Sequence, residues 1–394
     1  MEELSGVAYK AISWWLGNLD LLVYLLQLVP NRPKFFADGW GDLNKPHEEQ
    51  LKLEQQMLDG SPSIDVGDSM IEWELGDVQT LDQSMGLLQC RGSFLSPVAS
   101  SLPDVVKRCN FLAVSPGGTL WEADKEPKVV VIMLSATGEQ STFTRKRQAL
   151  YLARSRGWSS IIVTAPFYAS RRPAQQTAHY LRSVEHVLLQ SLAAMAEGAL
   201  LATWATKRWP CRVCVTGFSW GGAMAGCACM LALRWSERPS SIACVPYVGC
   251  SSPAVLVDGI LSSDICWEAL RRGSIAGRYG TLTLPASDGG EDQEVTRARL
   301  LCCLDYMQSP NLEHFALFTK GVPRSLGAVH VVTSCDDLII TKKYADQLTA
   351  SLTRCSENVM VQWCSGGHVV AFLRRQSVQV NAILTAVDRV LPQV

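Results

Sequence analysis

A single serine lies between glycines in the segment 215–226, VTGFSWGGAMAG. The segment follows the apolar run CRVCV at 211–215 and precedes small residues typical of a helix, which places Ser219 at a strand-to-helix turn. In so sharp a turn, the residues two before and two after the serine must lack a Cβ, and Gly217 and Gly221 meet that requirement. The spacing predicts a nucleophilic serine held on a strained turn, with a purely structural tight turn as the alternative.

A serine hydroxyl becomes a good nucleophile only when a base takes its proton, and the chain has six histidines. His368 lies in SGGHVVAF, between a strand pattern and the final helix pattern, and is the favoured base. His330 occupies an alternating position in a strand pattern and is expected in the core or as a surface residue without a catalytic role, whereas His47 lies in a polar helix. His179 and His186 are expected on a solvated face.

The base in turn needs a carboxylate that orients it and stabilises its cationic form. Asp336 and Asp337 in SCDDLII end a strand pattern between the serine and the histidine, which gives the chain order Ser, Asp, His. The aliphatic residues that follow Asp337 favour it as the acid, and Asp336 is then a turn or capping residue. Asp258, after the preceding strand pattern, is the remaining alternative.

Acyl transfer also requires donors for the oxyanion that forms on the substrate carbonyl. The N–H group of Trp220, at the start of the helix after the serine, is one predicted donor. The second is expected from the loop SATGEQ at 135–140, where Gly138 lets the backbone bend toward the reacting carbonyl. An ordinary turn is the alternative for that loop.

Strand and helix patterns alternate from Lys128 onward, which predicts a parallel sheet covered by helices on both faces. The alternation is interrupted after Cys250 for about 75 residues, where two helical segments flank a flexible loop at 287–294. The predicted strands are 128–138, 158–168, 211–217, 241–250, 327–337 and 358–367, and the predicted helices are 141–157, 182–207, 220–236, 341–355 and 370–391.

The first part of the chain has a different pattern. Residues 1–30 are predicted to be helical, and the stretch 12–29 (ISWWLGNLDLLVYLLQLV) is expected either to pack on the domain or to lie at a membrane interface. Residues 46–60 predict a charged helix that ends at Gly60, and the segments 85–96 and 111–115 predict antiparallel strands.

Composition excludes several classes of protein. The 394 residues are 47% hydrophobic and 19% charged with a formal net charge of −1, which is typical of a globular protein and gives no basic surface for nucleic acid. The 14 cysteines are scattered through apolar segments, which favours a reducing, intracellular setting. Cys211 and Cys214 have a metal-like spacing but belong to a strand pattern, so neither a metal nor an organic cofactor is expected.

Several segments resemble those of the α/β-hydrolase domain-containing protein 18 family, in the same order along the chain. They are KFFADGWGDL at 34–43, GSFLSPVASSLPDVV at 92–106, LSATGEQSTFTRKRQAL at 134–150, APFYASRRP at 165–173, GFSWGG at 217–222, EHFALF at 313–318, CDDLII at 335–340 and GGH at 366–368. The chain departs from the family at Gln140 and Ser141, where a histidine is usual, and around His314, where Glu313, Leu317 and Phe318 replace the family's pattern.

The resemblance implies an α/β-hydrolase fold with Ser219 as nucleophile, Asp337 as acid and His368 as base. It implies a helical cap insertion at about 253–326 within a hydrolase domain at 61–394, preceded by an N-terminal helical segment at 1–60. It also implies cleavage of lipid acyl esters, phospholipids among them, with a mitochondrial location.

Three functions remain open from the sequence. The favoured one is a serine hydrolase that acts on long-chain lipid esters, with peripheral membrane contact through residues 12–29. The second is an acyltransferase that uses the same three residues, and the third is a non-catalytic hydrolase-fold scaffold.

Overall fold

The structure is a computed structural model that describes Asp20 and residues 32–273, 292–306 and 325–390. Ten strands within these residues form one sheet. In chain order the strands are β1 (Glu72–Trp73), β2 (Gln79–Asp82), β3 (Leu87–Leu95), β4 (Arg108–Pro116), β5 (Val129–Leu134), β6 (Ser159–Val163), β7 (Arg212–Phe218), β8 (Ile242–Tyr247), β9 (Ala328–Ser334) and β10 (Val359–Cys364).

The sheet is antiparallel at one edge and parallel through its centre. Its order is β1-β3-β4-β6-β5-β7-β8-β9-β10, with β2 paired to β3. The strands from β5 to β10 pair in parallel, whereas β4 joins β6 in antiparallel register. Strand β7 lies between β5 and β8, so its carboxyl end is at the middle of the sheet, where parallel α/β sheets place their ligands.

Helices cover both faces of the sheet, which confirms the predicted α/β class. In chain order they are α1 (Asn44–Asp59), α2 (Phe143–Arg156), α3 (Val184–Arg208), α4 (Trp220–Trp235), α5 (Val255–Asp258), α6 (Trp267–Arg272), α7 (Gln293–Tyr306), α8 (Lys342–Leu352), α9 (His368–Arg374) and α10 (Val378–Arg389). Helices α3 and α4 pack against each other, while α2 and α10 are joined by a hydrogen bond from Gln148 to Gln379.

Helix α3 is the one helix in the described ranges that is long and apolar enough to cross a membrane. The apolar stretch is wholly buried within the protein. Its small residues let it approach the sheet closely, and Gly198 lies directly over Leu134 of β5. The helix therefore serves here as a core helix.

A buried ion pair joins α3 to the loop after β6. The Arg171 guanidinium donates to both carboxylate oxygens of Glu197, at 2.6 and 2.8 Å, and both side chains are fully buried. It also donates to the carbonyl oxygens of Thr164 and Val106, at 2.9 and 2.7 Å. One cation thus connects α3, the exit of β6 and the entry to β4.

The predicted single helix at 370–391 is wrong, because the segment forms the two helices α9 and α10. Between them the backbone N–H of Ser377 donates to the carbonyl oxygen of Arg374, at 3.0 Å, three residues back and not four as in a continuous α-helix. The Ser377 hydroxyl donates to the same oxygen. The break lets α10 run along β7, β8 and β9 while α9 stays at the end of β10.

The N-terminal part of the described chain belongs to the core. Phe36, Trp40, Leu53 and Met57 are buried, and α1 contacts α3 and α4. Residues 12–29, apart from Asp20, lie outside the described residues, as does much of the region 253–326. Of the two helical segments predicted in that region, the first contains the short helices α5 and α6 and the second contains α7. The flexible loop predicted at 287–294 lies mostly outside the described residues, and the proposed domain boundaries stay a prediction.

Candidate active site

Ser219 lies between β7 and α4 with an unusual backbone conformation. Its φ is 58° and its ψ is −124°, a combination that costs a side-chain-bearing residue about 1–3 kcal/mol. The strain is held in place because the Ser219 N–H donates to the Tyr247 carbonyl oxygen at 3.0 Å. The serine therefore lies on a tight, strained turn at the carboxyl end of the central strand.

The glycines around Ser219 are required by close backbone approaches. A Cβ on Gly217 would collide with the backbone of Gly221, whose Cα would lie 2.9 Å away. A Cβ on Gly221 would overlap the carbonyl group of Ser135 at the end of β5, and one on Gly222 would lie 2.9 Å from the Tyr247 carbonyl oxygen. Real Cβ atoms almost never make contacts this short. The glycines two residues before and after Ser219 are therefore required sterically, as the sequence predicts.

The imidazole of His368 is paired with Asp337 and not with Asp336 or Asp258. His368 Nδ1 lies 2.7 Å from Asp337 Oδ2, in a contact that is almost entirely buried. The other oxygen of Asp337 accepts the N–H groups of Ile339 and Ile340, at 2.8 and 2.7 Å. The carboxylate is thus fixed on both sides, and only Nε2 of the imidazole remains directed elsewhere.

The two alternative acids have other partners. Asp336 accepts the N–H of Gly366 at 2.9 Å, so it joins the loop after β9 to the loop after β10. Asp258 accepts the hydroxyl of Tyr344 at 2.5 Å and pairs with Arg297 and Lys343, at 3.5 and 3.6 Å. Neither carboxylate contacts the imidazole.

The imidazole lies beside the serine turn. The ring of His368 packs on that of Phe218, the residue before Ser219, with 4.8 Å between ring centroids. Ser219 and His368 each retain 8% of their surface and Asp337 retains 7%. Ser219, Asp337 and His368 therefore follow the carboxyl ends of β7, β9 and β10, with His368 paired to Asp337 and packed on the residue before Ser219.

The loop after β5 is braced by Arg145, whose role sequence reasoning missed. The guanidinium donates to the carbonyl oxygens of Met133 and Val163, at 2.8 and 2.6 Å, and to the Ser135 hydroxyl at 2.6 Å. It pairs with Glu139 at 3.0 Å, and Glu139 in turn accepts the Ala136 N–H at 3.2 Å. The loop is thus held from within.

Gly138 makes the turn in this loop with φ of +80°, a value that favours glycine. Burial raises the pKa of the nearby Tyr168 phenol to about 12, and hydrogen bonding to the Gln190 side chain and to the Gly138 backbone opposes part of that rise. Thr137, the residue before it, lines the same cavity as Ser219 and Trp220. Gly138 as an oxyanion donor stays a prediction, and this geometry favours Thr137 as the residue that faces the serine.

The cavity next to Ser219 is narrow and mostly apolar, with a volume of about 40 Å³. Trp220 and Thr137 line it together with Ser219. Aliphatic residues from the segment after β8 and from the loop after β9 form much of its wall: Val255, Leu256, Leu261, Ile339 and Ile340. Removal of apolar groups from water is favourable in such a space. The cavity suits an acyl group better than a charged one.

His179 and His186 are half-buried, so their prediction on a solvated face is wrong. His179 stacks on Tyr180, with 4.2 Å between ring centroids, and His186 packs on Phe167 at 4.8 Å. Burial lowers the pKa of both imidazoles, and the nearby charge of Arg32 lowers that of His179 further. His179 precedes α3, in a loop that folds onto Gly138, so it does not lie on the exposed face of a helix.

Cys211 and Cys214 are buried free thiols at the start of the central strand. Burial raises the pKa of Cys211 to about 12 and that of Cys214 well above its ordinary value. Within the part of the chain that the structure describes, no group of three or more His, Cys, Asp or Glu residues is arranged to hold a metal ion.

Comparison with known families identifies the fold. The sequence model of the family described as "Alpha/beta hydrolase domain containing 18" matches residues 33–389. This range includes Ser219, Asp337 and His368.

Solved esterases resemble the chain at low sequence identity. A cold-adapted esterase from an Arctic intertidal metagenomic library is 12% identical, over 80% of this chain and 99% of that one, with a TM-score of 0.47. The acetyl xylan esterase from Paenibacillus sp. R4 is 12% identical over 84% and 99% of the two chains, also at 0.47. Carboxyl esterase 2 from the mycorrhizal fungus Tuber melanosporum is 11% identical over 79% and 88%, at 0.44. Scores this low carry no argument about the reaction.

Proposed function

This chain belongs to the α/β-hydrolase domain containing 18 family, and on that premise we propose that it is a serine hydrolase that cleaves acyl esters. The observation that carries the proposal is the 2.7 Å contact between His368 Nδ1 and Asp337 Oδ2, beside a serine held at positive φ. A base that is oriented by a buried carboxylate and adjacent to a strained serine is suited to nucleophilic catalysis.

In the proposed reaction Ser219 Oγ attacks the ester carbonyl while His368 Nε2 takes the hydroxyl proton. Asp337 keeps the imidazole in the tautomer that has its proton on Nδ1, and it stabilises the imidazolium that forms. The N–H groups of Trp220 and Thr137 stabilise the negative oxygen of the tetrahedral intermediate. The C–O bond of the ester then breaks, and His368 gives its proton to the departing alcohol.

The second half of the reaction regenerates the enzyme. Water attacks the acyl-serine while His368 accepts one of its protons, and the acid is released as Ser219 regains its proton. An acceptor alcohol in place of water would give acyl transfer with the same residues. Analysis of the products in the presence of competing acceptor alcohols distinguishes the two reactions.

The test is covalent labelling of the intact protein with a fluorophosphonate. We expect one label per chain, located on Ser219 by peptide mass spectrometry, no labelling of Ser219→Ala, and labelling of His368→Ala slowed by at least about 100-fold. Ser155→Ala, which alters an exposed serine on α2, is the control and should label at the wild-type rate. A folded wild-type protein that takes no label would leave the scaffold function as the better proposal.

We further propose that the acyl group belongs to a lipid or phospholipid ester. The family resemblance supports this choice, and the apolar wall next to Ser219 suits the first methylene groups of such a chain, each of which contributes about 0.8 kcal/mol to binding when buried. A preference for long over short acyl chains in kcat/KM is expected. Equal kcat/KM values for butanoyl and hexadecanoyl esters, presented in the same detergent, would contradict it.

Peripheral membrane contact through residues 12–29 and a mitochondrial location are proposals that come from the sequence and the family resemblance. Replacement of Trp14 and Trp15 by serine tests the first of them and leaves the rest of the chain intact. Reduced sedimentation with anionic liposomes is expected, at unchanged kcat on a soluble ester. Wild-type protein that does not sediment with liposomes would end this proposal, and imaging of the tagged full chain in cells tests the location.

A further inference from the structure

A buried carboxylate from the N-terminal part of the chain lies between the two loops that carry Asp337 and His368. Asp20 is fully buried, and its Oδ2 accepts the N–H groups of His368 at 2.8 Å and Leu338 at 3.1 Å. Its Oδ1 accepts the N–H of Val369 at 2.8 Å. One side chain therefore makes three hydrogen bonds to the backbone of the catalytic loops.

The three N–H groups that Asp20 accepts belong to the base and to residues next to the base and its acid. Leu338 directly follows Asp337, and His368 and Val369 form the first turn of α9, where backbone N–H groups have no acceptor within the helix. A carboxylate at this position makes charge-assisted hydrogen bonds with groups that would otherwise lack a partner. The bonds hold the backbone at the base itself and next to its acid.

The junction is closely fitted. A Cβ on Gly367 would lie 2.7 Å from Asp20 Oδ1 and closer still to Oδ2, so a larger residue at position 367 would displace the carboxylate. The side chains of Ser334 and Asp336 also bond the loop after β10, but both bonds end on the backbone of Gly366, two residues before His368. Asp20 alone among these three residues reaches the backbone of His368.

We propose that Asp20 is a positioning residue that sets the imidazole of His368 relative to Asp337 and Ser219. The inference rests on the proposed hydrolase function and adds to it a requirement for a residue 348 positions before the base. A displacement of about 1 Å in a catalytic group can lower the rate by about 100-fold. Without the carboxylate, two backbone N–H groups at the start of α9 and one beside Asp337 lose their acceptor, and a displacement of that size becomes possible.

The expected effects separate two variants. Asp20→Ala removes both acceptor oxygens, and with them all three hydrogen bonds. It should lower kcat by about 100-fold, with KM changed by less than about threefold, because binding of the acyl group does not involve the imidazole. Asp20→Asn keeps one oxygen, which can still accept from Leu338 and His368. Its amide group would then face the Val369 N–H, so we expect a smaller loss of about 10-fold.

The control is a carboxylate with a similar structural task far from the triad. Asp82 accepts the Ser84 hydroxyl at 2.7 Å and the Met85 N–H at 3.3 Å in the turn between β2 and β3. Asp82→Ala should change the melting temperature without a change in kcat. This comparison separates positioning from a general loss of stability.

The experiment measures fluorophosphonate labelling and kcat and KM on a soluble ester, with the full chain in every variant. A second readout, the downfield proton resonance of His368 Nδ1–H, reports the pair with Asp337 without any reaction. We expect this resonance in the wild type and Asp82→Ala, and its broadening or loss in Asp20→Ala. A wild type that takes no label would refute the hydrolase function. A folded Asp20→Ala or Asp20→Asn that labels at the wild-type rate and keeps the resonance would overturn only the role of Asp20.

Discussion

Replacement of Asp337 by asparagine tests the assignment of the acid with almost no change in shape. One oxygen of Asp337 accepts two backbone N–H groups, from Ile339 and Ile340, while the other contacts His368 Nδ1. An asparagine keeps both backbone bonds only if its single oxygen occupies the position that accepts from Ile339 and Ile340. Its amide group must then face Nδ1 and donate to it.

This arrangement gives the imidazole the wrong tautomer. With Nδ1 as acceptor, the ring carries its proton on Nε2, which can no longer take the proton of Ser219. In serine hydrolases a change of this kind lowers the rate by about 10⁴-fold, or about 5.4 kcal/mol of transition-state stabilisation. We expect Asp337→Asn to lower kcat by that order with KM nearly unchanged.

The neighbouring aspartate provides the matched control. Asp336 accepts the N–H of Gly366, a bond that an asparagine oxygen can also make, so Asp336→Asn should change kcat by less than about threefold. Both variants would be assayed for ester hydrolysis under saturating substrate and for unchanged circular dichroism. A loss in Asp336→Asn as large as that in Asp337→Asn would refute the assignment.

Three further predictions concern stability. The free energy of unfolding of Ser219→Gly should exceed that of Ser219→Ala by about 1 kcal/mol, because glycine adopts the positive φ without strain. Equal urea midpoints for the two variants would contradict this. Glu197→Gln should lower the free energy of unfolding by about 3–5 kcal/mol because it leaves the Arg171 charge buried without its partner, while Glu197→Leu combined with Arg171→Met should cost less, also by urea titration. Burial holds the pKa of His330 below its ordinary 6.5, so the unfolded chain binds the proton more readily than the folded one. The free energy of unfolding therefore decreases as pH falls below about 6.5, and in His330→Gln it should decrease less between pH 7 and 5.

The central sheet and the serine turn could be predicted from the sequence because their causes are local. Apolar runs with β-branched residues fix the parallel strands, and the clearance around Ser219 is set by residues two positions away. Asp337 was preferred to Asp336 from the aliphatic residues after it, and two of those residues, Ile339 and Ile340, donate to its carboxylate. Such short-range relations are written directly in the order of residues.

Other features depend on partners that lie far away in the chain. Arg145 was part of a basic helix pattern, yet its guanidinium is buried against the ends of β5 and β6. Asp20 was one acidic residue in an otherwise apolar stretch, and its partners are more than 300 positions later. No local pattern distinguishes these charges from solvated ones, because only the folded backbone brings their acceptors or donors to them.

The contact between Asp20 and α9 joins residues made early and late in the synthesis of the chain. Residue 20 leaves the ribosome long before residue 368, so their contact cannot form until nearly the whole chain has been made. Closure of so long a loop is entropically costly, and it is among the slower steps available to the chain. Under the proposed mechanism, Ser219 can take up its strained turn before His368 has been made, and it then lacks the base that would take its proton.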